Sequence, residues 1–181
     1  MDSHPVTVFA GSEIITTGTP GSVTSTVREL HSSGDQRVVL VFDDVTGEQV
    51  DLDMRSDLPA AEPERRAPGR PKLGVVAREV TLLPRHWEWL GAQPGGASVA
   101  LRKLVEKARR ESADGDRIRR SQEAAFRFMT SMAGDQPGYE EAIRALYACD
   151  LNTLEARIAA WPRDVAAYTR VLATDAFSPG E

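Results

Sequence analysis

Arginine and lysine side chains, which can pair with phosphate groups, are concentrated in the middle of this 181-residue chain. Residues 61–111 carry eleven Lys and Arg against six Asp and Glu, a net charge of +5. Residues 1–60 carry a net −7 and residues 112–181 a net −3, so the whole chain is acidic at −5. A basic segment between acidic flanks predicts an anionic partner. The alternative is an ordinary variation of solvated surface charge along the chain.

Other reactive side chains are present without the spacing that a reaction or a metal site needs. Four carboxylates lie near residue 50 and could bind a hard cation through oxygen, but no calcium-loop pattern surrounds them. They are Asp43, Asp44, Asp51 and Asp53. His86 has no second histidine nearby, so no metal site is expected there. Because glycine loops for phosphate, serine elbows and paired-carboxylate signatures are missing, the sequence predicts no enzyme and no cofactor.

The only cysteine, Cys149, excludes an intramolecular disulfide and fits a reducing compartment. It follows an apolar helical pattern without a basic neighbour, so we expect a buried structural thiol. The N-terminal sequence MDSHPVTVFAG lacks the basic stretch and apolar core of a signal peptide. No apolar run approaches the roughly 20 residues that span a bilayer. These features predict a cytoplasmic protein without a membrane partner.

The elements that must position these side chains begin with a small module in residues 1–54. VTVFA at 6–10 and EIITT at 13–17 are β-branched runs separated by a Gly-Ser turn, which predicts a hairpin. Residues 19–34 have apolar side chains at helical spacing and end in glycine, which predicts a helix.

Two further patterns complete this module. RVVLVFD at 37–43 is the strongest strand pattern in the chain, and TGEQVDLD at 46–53 predicts a turn and a fourth short strand. One helix packed on a β-β-α-β-β sheet could bury the apolar faces of both.

A linker is expected next, at residues 55–74, with the sequence RSDLPAAEPERRAPGRPKLG. Four prolines, mixed charges and few bulky apolar residues leave too little burial to offset chain entropy, which favours a flexible segment. Within it, PGRPK at 68–72 resembles the core of an AT-hook, whose extended Gly-Arg-Pro segment lies in a narrow minor groove. The resemblance implies that Arg70 and Lys72 contact DNA. A plain linker is the alternative.

Residues 75–111 have the pattern of a strand, a helix, a glycine turn and a second helix. AREVTLL is β-like, and Pro84 can begin a helix because its missing N–H has no partner in the first turn. PGG at 94–96 ends that helix, and Ser98 is a reasonable N-cap for the next one. Trp87 and Trp89 lie two apart and cannot share a helix face, so we expect one in the core and one at an interface.

Residues 112–181 keep helical spacing between proline and glycine stops, which predicts a helical bundle. With 41% hydrophobic and 27% charged residues, the chain has the composition of a globular protein. The predicted fold class is α+β: the N-terminal module, the linker, the strand-helix-helix element and the C-terminal helical region.

A strand followed by two short helices within residues 78–110 resembles the ribbon-helix-helix family of DNA-binding proteins. The resemblance implies that two chains pair their strands into an antiparallel ribbon and interlock their helices. The ribbon would enter the DNA major groove, which is wide enough to admit it. The start of the second helix would point at phosphate through its free N–H groups and its dipole.

Individual roles follow from the same resemblance. If Val80 and Leu82 face the core, Glu79 and Thr81 face the bases; the opposite register would present apolar side chains to base edges. Ser98 would cap the second helix and touch phosphate. The basic side chains that would contact phosphate are Arg85, Arg102 and Lys103. The chain departs from the family at Leu82, where members carry a basic or polar reading residue, and Glu79 would repel phosphate.

Nearly the whole chain also resembles a bacterial family of uncharacterised proteins, filed as a domain of unknown function. The segments that carry the likeness include FAGSEIITTG, VLVFDDVTGEQVDLD, GRPKLGVVAREVTLLPRHWEWL and FMTSMAGDQPGYEEAIRALY. The likeness implies a bacterial protein and no particular activity.

Together these patterns predict a DNA-binding protein, a dimeric transcriptional regulator whose partners are double-stranded DNA and a second copy of the chain. The alternative is a protein-interaction or sensor module in which the acidic N-terminal part is the functional end and the tryptophans anchor a partner. A strand and helical hairpin packed inside a larger core, with no role in DNA binding, would also fit residues 78–110.

Overall fold

The computed structural model describes residues 4–52, 76 and 78–178 of the chain. It consists of two compact units: Met1–Ala60 with Asp114–Glu181, and Ala61–Ala113. The fold is mixed α+β, with a small antiparallel sheet near the N-terminus and a helical remainder, which confirms the predicted class. Among the described helices, none combines the length and apolarity needed to cross a bilayer.

The sheet contains the three strands β1 (Val6–Ala10), β2 (Glu13–Gly18) and β3 (Val39–Asp43). Its order is β2-β1-β3, and both neighbours run antiparallel to the central β1. All five residues of β1 are buried, which explains why this strand is a continuous run of apolar and β-branched residues. The hairpin predicted from the two β-branched runs is confirmed, with Gly11 in the left-handed region at its turn.

Helix α1 (Pro20–Ser32) covers one face of this sheet. Its N-cap, Thr19, accepts a hydrogen bond from the Ser22 N–H at 3.3 Å, so a first-turn donor is satisfied. Val23 and Val27 lie on one side of the helix and bury against valines of the sheet. The four-residue spacing of these valines in the sequence therefore reflects their burial against the sheet.

The predicted fourth strand is absent from the described residues. Only a single bridge joins Phe42 to Gln49, beside a hydrogen bond from the Val50 N–H to the Val41 carbonyl. The side chain of Asp43 accepts the N–H groups of the two residues that follow Asp44, and this tight turn leaves the returning chain paired over one position only. The module is therefore β-β-α-β.

The helices after the sheet belong to both units. In the second unit they are α2 (Pro84–Gly91) and α3 (Gly96–Glu111). In the first unit they are α4 (Ala113–Ala133), α5 (Tyr139–Tyr147), α6 (Leu151–Ile158) and α7 (Arg163–Ala173). The first residue of α4, Ala113, is counted with the second unit. A short 3₁₀ helix, Thr174–Phe177, follows α7.

One core joins the sheet to the C-terminal helices. Phe9 of β1 and Phe42 of β3 contact Phe128 of α4, with ring centroids 5.4 and 5.0 Å apart respectively. Tyr168 of α7 completes the cluster, 4.7 Å from Phe128. Such aromatic pairs add about 0.5–1.5 kcal/mol each beyond the area they bury. Residues 1–54 and 112–181, predicted as separate regions, share this core because each supplies an apolar face that the other covers.

The turn between α5 and α6 places a residue other than glycine in the left-handed region. Cys149 has φ +53. Its N–H donates to the Leu146 carbonyl at 3.2 Å, and the Asp150 N–H donates to the Ala145 carbonyl at 2.9 Å, the pairing of a Schellman helix end. This position usually carries glycine because a Cβ is strained there.

Replacing Cys149 with glycine is expected to raise the free energy of unfolding by about 0.5–1 kcal/mol. The gain is the left-handed strain of about 1–2 kcal/mol, less the larger entropy of glycine in the unfolded chain. Urea titration followed by circular dichroism measures the change. Cys149→Ala is the control, because it removes the thiol and its 3.4 Å contact with Gln122 but keeps the Cβ. An equal gain in both variants would contradict this explanation.

Candidate nucleic-acid interface

The segment predicted to form the ribbon strand has no regular secondary structure. Residues 78–83 pair with no strand within the described part of the chain, and the predicted strand was one that pairs with its counterpart in a second chain. Leu83, at its end, is nevertheless extended, with φ −66 and ψ 149. A strand needs a partner for its backbone groups, and none of the described residues provides one for residues 78–83.

Five of the six residues from 78 to 83 are exposed, and only Leu82 is partly buried. Glu79 and Thr81, the residues predicted to face bases, are exposed, and Leu82 between Thr81 and Leu83 is partly buried. Leu82 lines an apolar groove, but Val80 is 54% exposed. The burial of Leu82 is what the register with Glu79 and Thr81 outward requires at that position.

The groove that Leu82 enters lies between α2 and α3. It has a volume of about 280 Å³ and an almost wholly apolar lining. Its residues are Leu82, His86, Trp89, Leu90, Leu101 and Leu104. His86 therefore lies among hydrocarbon side chains and not among metal ligands.

Most apolar side chains of the second unit are exposed. Among its described residues, Leu90 and Ala100 alone are buried. Trp87 and Trp89 are 42% and 53% exposed, so the expectation that one of them lies in the core was wrong. The remaining exposed apolar residues are Val76, Val80, Leu83, Leu104 and Val105. We call this set, with the two tryptophans, the apolar surface. A hairpin with two buried side chains has almost no core of its own. Of the exposed set, Trp89 and Leu104 lie together because both line the groove, and clustered exposed apolar residues mark interaction sites.

The predicted phosphate-binding residues lie at the start of α3. Gly95, with φ +87, is the N-cap, so the assignment of Ser98 as the cap was wrong. Ser98 lies in the first turn and is exposed. Arg102 is exposed and donates through Nε to the Ser98 carbonyl at 3.2 Å. Lys103 follows on the exposed surface.

The cations of this unit divide into two groups. Those in the second half of α3 are near glutamates: Arg109 lies 3.2 Å from Glu106, and Lys107 lies 3.7 Å from Glu111. The cations predicted to contact phosphate have no carboxylate at ion-pair distance within the described residues. These are Arg85, Arg102 and Lys103. Arg70 and Lys72, assigned to the AT-hook-like segment, lie outside the described residues.

The carboxylates near residue 50 support the fold. Partial burial opposes ionisation of Asp43, but the N–H groups of Thr46 and Val45 and the His4 ring hold the pKa of Asp43 below its ordinary value. Asp44 accepts hydrogen bonds from Thr7 at 2.7 Å and from Tyr168 at 2.5 Å. Burial, together with the hydrogen bond to Asp44, raises the pKa of Tyr168 far above its ordinary range, so the phenol stays a donor. Within the described ranges, no group of three or more potential ligands could hold a metal ion.

Cys149 is exposed, so the expected buried thiol was wrong. Its place at the turn after α5 explains this, because a C-terminal helix turn faces solvent. The apolar helical pattern in front of it belongs to α5 itself.

Comparison with known proteins identifies the family. A bacterial family described as an uncharacterized protein conserved in bacteria, DUF2239, matches residues 5–173. The chain belongs to this family. The resemblance to an uncharacterised bacterial family is thereby confirmed. No curated protein and no solved structure matches the chain.

This DUF2239 protein has a second concave site that the sequence did not suggest. A cleft of about 400 Å³ in the first unit lies between the segment after β3, the first half of α4 and the end of α7 with its 3₁₀ helix. Charged residues from all three converge on it, namely Asp44, Arg117, Arg120 and Asp175. Since they are up to 131 positions apart in the printed sequence, no local motif could have indicated them.

Proposed function

We propose that this protein binds double-stranded DNA as a homodimer, through residues 78–110, and acts as a transcriptional regulator. The second copy would pair its own residues 78–83 with those of the first in a two-stranded ribbon. The observation that carries the proposal is the exposed apolar surface beside residues 78–83, which pair with no strand among the described residues. A second copy would provide a strand to pair with residues 78–83, and its own apolar surface would cover that of the first.

Energetics support the pairing. Fully burying one leucine or valine side chain contributes about 1.5–3 kcal/mol. The apolar surface is about half exposed, and a two-fold interface would contain it twice. The two tryptophans in this set are of the residue type that is enriched at the centre of protein interfaces.

The charge distribution supports DNA as the ligand of that dimer. Residues 78–111 carry seven Lys and Arg against four Glu, in a chain whose net charge is −5. Arg102 and Lys103 stand on the first turns of α3, beside N–H groups that have no intrahelical partner. Phosphate would therefore meet two side-chain cations, the Ser98 hydroxyl and the positive end of the helix dipole together.

Sequence reading would fall to Glu79 and Thr81. A glutamate can accept a hydrogen bond from the amino group of cytosine, and threonine can contact the thymine methyl group. Because Glu79 also repels phosphate, we expect modest affinity and a preference for cytosine at the contacted positions.

Salt dependence tests the proposal directly. Fluorescence anisotropy with short labelled duplexes of random sequence is expected to show binding that weakens steeply with salt. Arg85, Arg102 and Lys103 in two copies make six phosphate contacts, which predict a slope of log K against log salt of about −5. Between about 50 and 200 mM salt the affinity should fall roughly 10³-fold.

Charge-matched variants separate this site from general electrostatics. Arg102→Gln with Lys103→Gln should reduce the slope to about −2, since four of six contacts are removed. The control is Arg144→Gln with Arg163→Gln, which removes the same charge from exposed positions of the first unit. If the two double variants behave alike, or if the wild-type protein binds no duplex at low salt, the proposal is wrong.

The exposed tryptophans also favour a second candidate, a non-enzymatic protein-interaction module. In that case the apolar surface would bind a different protein, and the chain alone would stay monomeric. Light scattering of the purified protein distinguishes the candidates: a mass of twice 19.7 kDa supports the homodimer, and a mass of 19.7 kDa supports the interaction module.

A further inference from the structure

The cleft in the first unit has the size and the polar groups of a small-molecule site. Its volume of about 400 Å³ lies within the range of about 300–1,000 Å³ that ligand pockets occupy. Val45 and Val171 form apolar parts of its wall, and their side chains are 53% and 63% exposed. What such a site could bind depends on which of its polar atoms still lack a partner.

Two hydroxyls of the cleft are already committed to the backbone. Ser121 Oγ donates to the Leu172 carbonyl at 2.6 Å and accepts the Ala176 N–H at 3.1 Å. Thr174 Oγ1 donates to the Arg170 carbonyl at 2.9 Å. These bonds fix the wall between α4 and the end of α7, so the cleft keeps its shape without a ligand.

The two arginines of the cleft differ in their partners. Arg117 is shared between Asp175 at 3.2 Å and Asp114 at 3.5 Å. Arg120, one turn further along α4, is exposed and has no carboxylate at ion-pair distance among the residues described. Arg120 is therefore a planar donor with no anion of its own, the group best suited to a carboxylate or phosphate.

Asp44 provides the opposite charge. Both of its hydrogen-bond donors, Thr7 and Tyr168, contact the same oxygen, Oδ1. Oδ2 has no such partner in the described part of the protein. Since no buried side-chain oxygen there lacks a partner, Oδ2 is not buried, and Asp44 lines the cleft. An ammonium group or another strong donor would satisfy it.

We propose that this cleft binds a small organic molecule carrying both an anionic group, held by Arg120, and an ammonium group, held by Asp44. Val45 and Val171 would contact its apolar portion. The shared anionic chemistry is that of a carboxylate or a phosphate. This site is independent of the proposed binding of DNA, and its test contains no DNA.

Isothermal titration calorimetry on the full chain tests the site with defined probes. Phosphoethanolamine joins a phosphate to an ammonium group, and β-alanine joins a carboxylate to one. Inorganic phosphate, acetate and ethylammonium carry the single groups. We expect at least one two-group probe to bind about tenfold more tightly than either of its single-group counterparts, because each charge-assisted hydrogen bond adds at least this factor. Which two-group probe binds identifies the anion.

Three variants assign the contacts. Arg120→Gln should weaken the two-group probe about tenfold, and its exposed position keeps the fold intact. Asp44→Asn retains an oxygen for Thr7 and Tyr168 but replaces Oδ2 with a donor nitrogen, so it should remove the preference for an ammonium group. Arg119→Gln, at an arginine that pairs with Asp116 at 3.2 Å, should change nothing. Absence of binding by every probe, or equal binding by Arg120→Gln and the wild type, would overturn the proposal.

Discussion

Replacing Gly47 with alanine is expected to lower the free energy of unfolding by about 2–5 kcal/mol. Gly47 is buried in the turn after β3, with φ +65. A Cβ built there lies 2.0 Å from the carbonyl oxygen of Ala124, in the backbone of α4. Left-handed backbone costs about 1–2 kcal/mol for an alanine, and forcing an atom into a packed site costs about 1–3 kcal/mol. The free energy of unfolding of a native protein is only about 5–15 kcal/mol, so much of the stability would be lost.

The turn cannot move away from α4 without losing further contacts. The Gly47 N–H donates to the Asp43 carbonyl at 2.9 Å, and the Asp43 N–H donates to the Glu48 carbonyl at the same distance. Arg127 of α4 donates to the Thr46 carbonyl at 3.0 Å. Relief of the clash would therefore disrupt either the turn or its attachment to the helix.

Gly34→Ala is the matched control for this prediction. Gly34 has φ +79, yet no heavy atom lies within 4 Å of a Cβ built there. It should lose only the conformational part, about 1–2 kcal/mol. Urea unfolding monitored by circular dichroism, which reports chiefly on the helices, measures both variants. If the N-terminal strands folded separately from the C-terminal helices, Gly47→Ala would leave this transition unchanged.

Local patterns predicted the local elements well. The strands β1 and β3 were predicted because buried central and edge strands are rich in valine and phenylalanine, and α1 because Val23 and Val27 recur at helical spacing. The prediction of a fourth strand was wrong because it used only the β-like composition of the run. The turn at Asp43 determines how many of those residues can pair, and only one does.

The union of the sheet with the C-terminal helices could not be predicted locally. Phe9 and Tyr168 are 159 positions apart in the printed sequence, and their rings lie 5.5 Å apart in the core. A single sequence shows that each face is apolar but not which face meets which. The cleft around Asp44 and Arg120 was missed for the same reason.

The candidate DNA interface was predicted in composition and only partly in geometry. The exposure of Arg85, Arg102 and Lys103 followed from their charge, and the exposure of Glu79 and Thr81 fits the favoured register. The helix cap moved from Ser98 to Gly95 because glycine accepts the left-handed conformation that this turn requires. The exposure of both tryptophans was unexpected. An apolar side chain can be buried within its own chain or against a partner, and the sequence does not distinguish the two.

Replacing Leu104 with aspartate is expected to convert a homodimer into a monomer and to weaken binding of duplex DNA by about 100-fold or more. Leu104 is 45% exposed and belongs to the apolar surface. In the single chain a carboxylate at this position would be largely solvated, so the hairpin should tolerate it. In the two-fold interface that we propose, two carboxylates would enter the apolar centre without partners, each at a cost of several kcal/mol.

Affinity for DNA falls because the two sets of phosphate contacts are no longer held together in one dimer. A dimer presents two sets of phosphate contacts on one rigid body, and the second set binds at a high effective concentration. Monomers must bind separately, which forfeits a factor of about 10²–10⁴ without any change in the phosphate contacts themselves. Light scattering should give 19.7 kDa for Leu104→Asp, and anisotropy should give the change in affinity.

Leu151→Asp separates this effect from a general consequence of removing surface leucine. Leu151 is 47% exposed, almost the same as Leu104, but it begins α6 in the first unit. An aspartate in a first helical turn is favourable, so this variant should stay folded, dimeric and able to bind DNA. A monomeric wild-type protein would exclude the ribbon, because the ribbon requires residues 78–83 of two chains to pair with each other. Loss of dimer in both variants would show that the second copy binds elsewhere. Loss in Leu104→Asp alone, accompanied by loss of DNA binding, is the result that the exposed surface of α2 and α3 requires.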